Sequence, residues 1–287
     1  MSPDLLVQLA LLGILLPAVV SGLVFLGLKG VMPDRAAALA IAAGFMTGFF
    51  GVSGLGGYAF PPRTIQQWLP HVAVVALVLG LLEPMWAKNL VSRWSVRLVL
   101  LELLLWRLFQ PFINHPFPSR SWSTAQTITN LLVTTLVIAL FWTALDWLTR
   151  TQASENASPE REGTLPAAIT LIAAGSAISV VLAHSLVMGQ LTGVVAATLG
   201  AVAVVAWLFK GYLGQAATPL ITMLLALPWL SLFTTLPGAA VIVLALAPWA
   251  FFIPVAESGS KWQRVIFKLG LVALPTFVAV FLAFQLS

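Results

Sequence analysis

Residues 5–28 read LLVQLALLGILLPAVVSGLVFLGL, and these 24 positions hold no charged side chain. At 1.5 Å per residue, a helix of this length measures about 36 Å, which exceeds the roughly 30 Å hydrocarbon core of a bilayer. The preceding segment, residues 1–4, carries an acid and no Lys or Arg, whereas a signal peptide begins with a basic segment. The stretch therefore predicts a permanent first transmembrane helix.

Further apolar stretches of similar length follow along the chain, separated by short polar breaks. Hydrophobic residues make up 60% of the 287 residues and charged residues only 8%, against about 25% charged in soluble domains. This composition excludes an ordinary soluble protein, and it also excludes disorder, which requires low hydrophobicity. The predicted fold class is all-α, a polytopic integral membrane protein with about ten transmembrane helices near 5–28, 36–54, 69–87, 95–113, 126–148, 165–186, 189–209, 217–235, 238–255 and 265–286.

Lysine and arginine are concentrated in alternate loops. Of the 14 basic residues, the even-numbered loops and helix ends hold only Arg63, Arg107 and Arg120, and the other 11 belong to the odd-numbered loops. Because cytoplasmic loops carry the excess of Lys and Arg, we predict cytoplasmic odd-numbered loops and both termini on the outer side of the inner (plasma) membrane.

One longer hydrophilic segment, residues 151–163, divides the chain in two. The predicted organisation is a first transmembrane half at 1–149, a cytoplasmic linker at 150–164 and a second transmembrane half at 165–287, with five helices in each half. An odd number of helices per half gives the halves opposite orientations, and secondary transporters are commonly built from such inverted repeats.

This five-plus-five layout and the chain length resemble the drug/metabolite transporters, which have ten spans in two inverted halves. The resemblance is one of fold-level organisation. It implies a carrier, but members of that family generally keep both termini inside, opposite to the orientation predicted here. No functional residue of that family is carried over to this chain.

Small residues recur at helical spacing in the second and seventh predicted spans. Such small-xxx-small faces allow the backbones of two helices to approach closely in lipid. We predict packed helix pairs at these positions, with a glycine-lined permeation path as the alternative. The glycines concerned are Gly44, Gly48, Gly51, Gly189, Gly193 and Gly200.

Few ionisable residues fall inside the apolar stretches, where each is costly and is often functional. Glu102 lies about seven residues, or roughly 10 Å, into the fourth span and is the most deeply placed acid. It is either a protonatable coupling residue or a structural acid bonded to a neighbouring helix. Arg107 lies about 140° further round the same helix, so the two side chains are not expected to pair. Glu83 and Asp146 lie near cytoplasmic helix ends, and Asp146 is predicted to pair with Arg150 four residues later.

The outer side in this topology collects His71, His115 and His184, and the Pro- and aromatic-rich loops that carry Arg63 and Arg120. Those loops fit either a cap over a vestibule or a site for an anionic headgroup. No HxxxH or HExxH spacing supports a metal site, so no metal is predicted. The candidate substrate-binding residues are Glu102, Arg107, His184, Arg63 and Arg120.

Sequence motifs for catalysis are missing from the chain. There is no GxSxG, P-loop or dinucleotide-binding motif, and there is no cysteine. We therefore predict neither catalytic residues nor a cofactor, and a lipid-modifying enzyme at the outer face would rest only on the histidines and outer arginines. The favoured function is a secondary transporter or flippase-like carrier of a weakly polar or amphiphilic solute; the alternative is a non-catalytic scaffold or accessory subunit of a larger membrane complex. Membrane lipids are the expected partners, a homodimer or other membrane subunits are left open, and no nucleic-acid partner is expected.

Overall fold

Helices make up almost the whole described part of the chain in the computed structural model, and no strand occurs in it. The structure describes residues 7–8, 10–54, 60–62, 64–86, 89–113, 122–152, 161–232, 238–255 and 260–286. We number the helices within these ranges α1 (Leu11–Leu28), α2 (Pro33–Ser53), α3 (Ile65–Trp86), α4 (Leu90–Ile113), α5 (Thr124–Gln152), α6 (Arg161–Leu182), α7 (Leu186–Phe209), α8 (Ala217–Leu232), α9 (Gly238–Leu246, continued by a 3₁₀ helix over Ala247–Phe252) and α10 (Lys261–Leu286).

Each of the ten predicted apolar stretches overlaps one of these helices, but the bounds differ: α4 begins at Leu90 rather than 95, and α6 ends at Leu182 rather than 186. Seven are long and apolar enough to cross a membrane, namely α1, α2, α3, α5, α6, α7 and α10. The apolar helices α8 and α9 are shorter, and α4 has 24 residues but carries four charged side chains. The all-helical prediction is confirmed for the described residues, and the long apolar helices fit a membrane-embedded protein.

Helix α8 forms the centre of the bundle. Every residue from 216 to 230 is buried, and the helix packs against α3, α5, α2, α7 and α6. A helix that is apolar on all sides is stable only when protein or lipid surrounds it completely. Two of its buried polar groups contact neighbouring helices: Trp229 Nε1 donates to Ser176 Oγ on α6 at 3.1 Å, and the hydroxyls of Thr218 and Thr149 on α5 lie 3.3 Å apart.

Close approach at glycine brings α1, α2 and α7 together. A Cβ added to Gly44 on α2 would lie 2.6 Å from Thr198 Cγ2 on α7 and 2.7 Å from Ser21 Cβ on α1, and one added to Gly48 would meet Val194 on α7. The prediction of packed helix pairs is confirmed at these positions. It is wrong for Gly193, where an added Cβ would meet nothing within 4 Å.

The described ends of α1, α3, α5, α7 and α9 lie at one end of the bundle, which we call the basic end. There Lys29 Nζ at the end of α1 donates to the carbonyl oxygen of Phe209 at the end of α7, and the rings of Trp207 and Trp262 stack with centroids 5.5 Å apart. At the other end, which we call the opposite end, Phe109 near the end of α4 contacts Trp122 just before α5. The helices therefore run up and down in alternation.

The segment between α7 and α8, residues 210–216, is fitted tightly into the basic end. A Cβ added to Gly214 would meet the backbone of Asp34, and one added to Gly80 on α3 would meet the carbonyl oxygen of Ala216. The Tyr212 hydroxyl donates to Asp34 Oδ1 at 2.8 Å. Burial, and then the bond to the Asp34 carboxylate, raises the pKa of Tyr212 to about 12.

Candidate functional site

Five charged side chains from three helices meet at the basic end. Glu83 lies near the end of α3, Arg93 and Arg97 lie in the first turns of α4, and Asp146 and Arg150 lie near the end of α5. Each pair on α4 and α5 has i,i+4 spacing, which puts both side chains on one face of the helix. We call these five residues the arginine–carboxylate cluster.

Arg97 lies at the middle of the cluster. Its Nη2 atom is 2.6 Å from Glu83 Oε1 and 2.9 Å from Asp146 Oδ1, so one nitrogen joins all three helices. Arg93 Nε lies 2.8 Å from the same Glu83 oxygen. Arg150 Nη2 donates to Asp146 Oδ2 at 2.7 Å, which confirms the predicted pair. The three guanidinium groups are therefore gathered around two carboxylates.

The cluster is shielded from solvent most completely at Arg97, which is 1% exposed. The rings of Trp142 and Trp94 lie 4.8 and 5.3 Å from its guanidinium carbon, within the distance of a cation–π interaction. Glu83 and Asp146 are also buried. Removing such charges from water is costly, so each is tolerated only while its partners stay in place.

Positive charge and hydrogen-bond donors are both in excess within the cluster. Three arginines face two carboxylates, which leaves one positive charge. The buried donors without a hydrogen-bond partner include Arg97 Nε and Nη1 and Arg150 Nε, and Arg93 Nη1 has only a 3.6 Å ion contact with Asp146 Oδ2. The one buried acceptor of the cluster without a hydrogen-bond partner is Glu83 Oε2. The arrangement thus has unused capacity to bind an oxyanion.

An apolar groove runs between α3 and α4, and we call it the α3–α4 groove. It encloses a cavity of about 110 Å³ with a lining from α3, α4 and α8. Met223 of the central helix is buried at its floor, whereas Val75 is 55% exposed at its rim, so the groove reaches the core and opens sideways. The α3 residues that line it are Trp68, His71, Val72, Val75, Ala76 and Leu79.

Along α3 and α4, the arginine–carboxylate cluster lies beyond one end of the groove lining and Arg107 beyond the other, and neither belongs to the lining. At the basic end its lining includes Leu79, one turn before Glu83, and Leu100, three residues after Arg97. At the opposite end the guanidinium carbon of Arg107 lies 5.6 Å from the centre of the Trp68 ring. The distance along α3 from Trp68 to Leu79 is about 16 Å. The groove therefore lies between two arginine sites.

Of the other predicted site residues, Glu102 and His184 do not line this groove. Glu102 accepts a hydrogen bond from Thr135 Oγ1 on α5 at 2.6 Å, a charge-assisted bond between neighbouring helices. His184 is exposed in the turn between α6 and α7, with a positive φ of 61°. Arg63 and Arg120 lie outside the described residues, as does His115.

A second recess lies at the opposite end, between α2, α3 and α7. Its volume is about 360 Å³, and its lining includes Ser53, Thr64, Gln66 and Gln190. Hydroxyl and carboxamide groups suit a neutral polar guest, because they donate and accept hydrogen bonds without charge. The recess and the α3–α4 groove share no lining residue, although α3 contributes to both.

Sequence reasoning placed Glu83 and Asp146 near helix ends and did not predict that they are buried together. Glu83 and Asp146 are buried, whereas Glu102 is only partly buried. The available indication was the i,i+4 spacing of Arg93 with Arg97 and of Asp146 with Arg150. Each pair predicts a charged face on its own helix, but neither spacing reveals that the two faces meet.

Comparisons with known proteins add no assignment to this site. Neither the family models nor the curated proteins contain a match to this chain.

Proposed function

We propose that this protein is a flippase-like carrier that moves an amphiphilic solute along the α3–α4 groove. The observation that carries the proposal is the groove itself, which is apolar and open sideways and has arginines beyond both ends of its lining. An amphiphile needs an apolar path for its tail and a polar site for its headgroup on each side of the bilayer. A groove of this design supplies all three.

The limited packing of α4 on its neighbours supports a route for the amphiphile beside this helix. Helix α4 packs less extensively on its neighbours than α7 does on α6. Its polar attachments include the arginine–carboxylate cluster and the bond from Ser92 Oγ to the carbonyl oxygen of Trp86 at the basic end, and the Glu102–Thr135 bond further along. A helix held by a few polar contacts beside an open groove is suited to small displacements that admit a guest, because few packed side chains must separate.

The membrane arrangement of the carrier follows from the charge distribution. In this proposal all ten helices cross the bilayer, the basic end faces the cytoplasm of the inner membrane, and membrane lipids surround the bundle. The two halves of five helices are interleaved in this arrangement, since α1 packs on α7 and α3 on α8. Interleaving of opposite halves is a usual feature of carriers with inverted repeats.

The test is a leaflet-exchange assay with purified protein in liposomes. A fluorescent single-chain amphiphile is placed in both leaflets, and a membrane-impermeant reductant bleaches the outer leaflet. Exchange appears as a loss of the protected inner fraction. Wild-type protein is expected to exchange the probe faster than protein-free liposomes; equal rates would overturn the proposal.

A matched pair of variants tests the route. Val75→Trp places a large ring at the rim of the groove, whereas Val78→Trp places the same ring on α3 at a residue that does not line the groove; both valines are exposed. Val75→Trp is expected to slow exchange strongly and Val78→Trp to leave it near wild-type. If the two variants exchange equally fast, the groove is not the route.

A further inference from the structure

We infer that the arginine–carboxylate cluster binds the phosphate headgroup of a single-chain or lipid amphiphile whose tail lies in the α3–α4 groove. The inference deepens the proposed function, on which it rests for the position of the tail. It assigns a chemical class to the headgroup, which the groove alone leaves open.

Charge balance is the first argument. Arg97 is paired with both carboxylates and Arg150 with Asp146, so the four residues Glu83, Arg97, Asp146 and Arg150 are neutral as a set. Arg93 adds the surplus positive charge, and its side chain is only 14% exposed. A surplus charge with so little access to water is costly, and a bound anion offsets that cost.

Donor geometry is the second argument. Arg93 and Arg97 meet at the same oxygen of Glu83, and Arg93 and Arg150 both approach Asp146 Oδ2, at 3.6 and 2.7 Å. The unpartnered donors therefore come from three side chains that lie side by side. A tetrahedral phosphate accepts hydrogen bonds from several directions at once, and guanidinium groups suit it in charge and planarity.

Continuity with the groove is the third argument. Leu79 and Leu100 line the groove and lie within one helical turn of Glu83 and Arg97 respectively. A headgroup at the cluster would thus have the lining of the α3–α4 groove within about one helical turn along α3 and α4. A free phosphate ion would use only the cluster, whereas an alkyl phosphate would use both parts of the site, and this difference separates the two sources experimentally.

The experiment measures ligand-induced thermal stabilisation of the full chain in nanodiscs of zwitterionic phosphatidylcholine. Three probes are added: hexadecyl phosphate, hexadecylphosphocholine with the same tail and a balanced headgroup, and inorganic phosphate. Because a ligand that binds only the folded state raises its stability, hexadecyl phosphate is expected to raise the unfolding midpoint most. Equal shifts with hexadecylphosphocholine would overturn the phosphate assignment.

Arg93→Gln is the informative variant, since it removes the surplus charge and leaves the four neutralised residues in place. It is expected to weaken binding of hexadecyl phosphate by about tenfold or more, whereas Arg35→Gln, which removes an exposed arginine from the start of α2, should bind as wild-type does. Unchanged binding by Arg93→Gln would overturn the inference.

Two further outcomes separate this inference from the proposed function. If inorganic phosphate stabilises as strongly as hexadecyl phosphate and Val75→Trp changes neither, the site is one for free phosphate and the amphiphile assignment is wrong. Suppose that Arg93→Gln still exchanges a zwitterionic amphiphile, but that hexadecyl phosphate binds wild-type protein and the variant equally. This result would support the carrier and overturn the headgroup assignment. Preferential binding without leaflet exchange would instead support the headgroup site and overturn the carrier.

Discussion

Arg97 Nη2 lies 2.9 Å from Asp146 Oδ1, a bond between residues 49 positions apart in the chain. The same nitrogen reaches Glu83, so the ends of α3 and α5 are joined through the first turns of α4. Buried ion pairs contribute little net stability compared with apolar packing, but breaking one leaves an uncompensated charge. The main effect of this contact is therefore to fix the position of α4 beside the groove.

Replacing Arg97 should destabilise the protein far more than replacing Arg93. Arg97→Gln leaves two buried carboxylates with one pairing fewer each, and losses of about 3–5 kcal/mol are typical of such changes. Arg93→Gln leaves a neutral cluster and should cost much less. Unfolding free energies in detergent, measured for both variants, provide the check, and equal losses would contradict the central position of Arg97.

Glycine at position 44 should be intolerant of even one added methyl group. Gly44→Ala forces a Cβ against Thr198 and Ser21, and overpacking of this kind costs about 1–3 kcal/mol. The control is Gly193→Ala, whose Cβ would meet nothing within 4 Å and which should be neutral or slightly stabilising because Ala favours helix. A thermal midpoint for Gly44→Ala equal to that of the control would show that α1, α2 and α7 separate easily.

Glu102 should act as a structural acid. Glu102→Gln retains an acceptor for the Thr135 hydroxyl, so stability and leaflet exchange are expected to remain near wild-type from mildly acidic to mildly basic pH. Glu102→Ala removes the acceptor and should lower stability by about 1.5–3 kcal/mol, the usual value for a hydrogen bond to a charged group. If leaflet exchange depends on pH in the wild-type protein but not in Glu102→Gln, Glu102 is a coupling residue instead.

Tyr212 should ionise only in strongly alkaline solution. The chain has two tyrosines, so Tyr58→Phe leaves Tyr212 as the single phenol in an absorbance titration of tyrosinate. Its midpoint is expected at about 12, against about 10 for an unperturbed phenol. Since the folded-state pKa is the higher one, the unfolded chain loses its proton first, and stability should fall as pH rises from about 10 to about 12. A midpoint near 10 would contradict the burial of this hydroxyl against Asp34.

Prediction from sequence was most successful where the information is local. The apolar run at residues 5–28 predicts a helix by its length, and the described part of it is helical from Leu11 to Leu28. The i,i+4 spacing of Asp146 and Arg150 likewise predicts a pair that the structure contains. In both cases neighbours in the chain are neighbours in space.

Prediction was less successful where the rotation of one helix against another decides the outcome. Gly193 has the same small-xxx-small spacing as Gly48, yet only Gly48 faces a neighbouring helix closely. Apolar helix surfaces are satisfied equally by lipid and by protein, so hydropathy does not identify the packed face.

The sequence by itself determined the helical class, the approximate position of the described helices and the concentration of basic residues in alternate loops, because these depend on runs of neighbouring residues. Only the tertiary structure decided that Glu83, Arg93, Arg97, Asp146 and Arg150 form one cluster and that the α3–α4 groove begins beside it. Their meeting depends on how α3, α4 and α5 are rotated about their own axes. That rotation is set by packing against α8 and by the ion pairs themselves, which act between residues far apart in the chain.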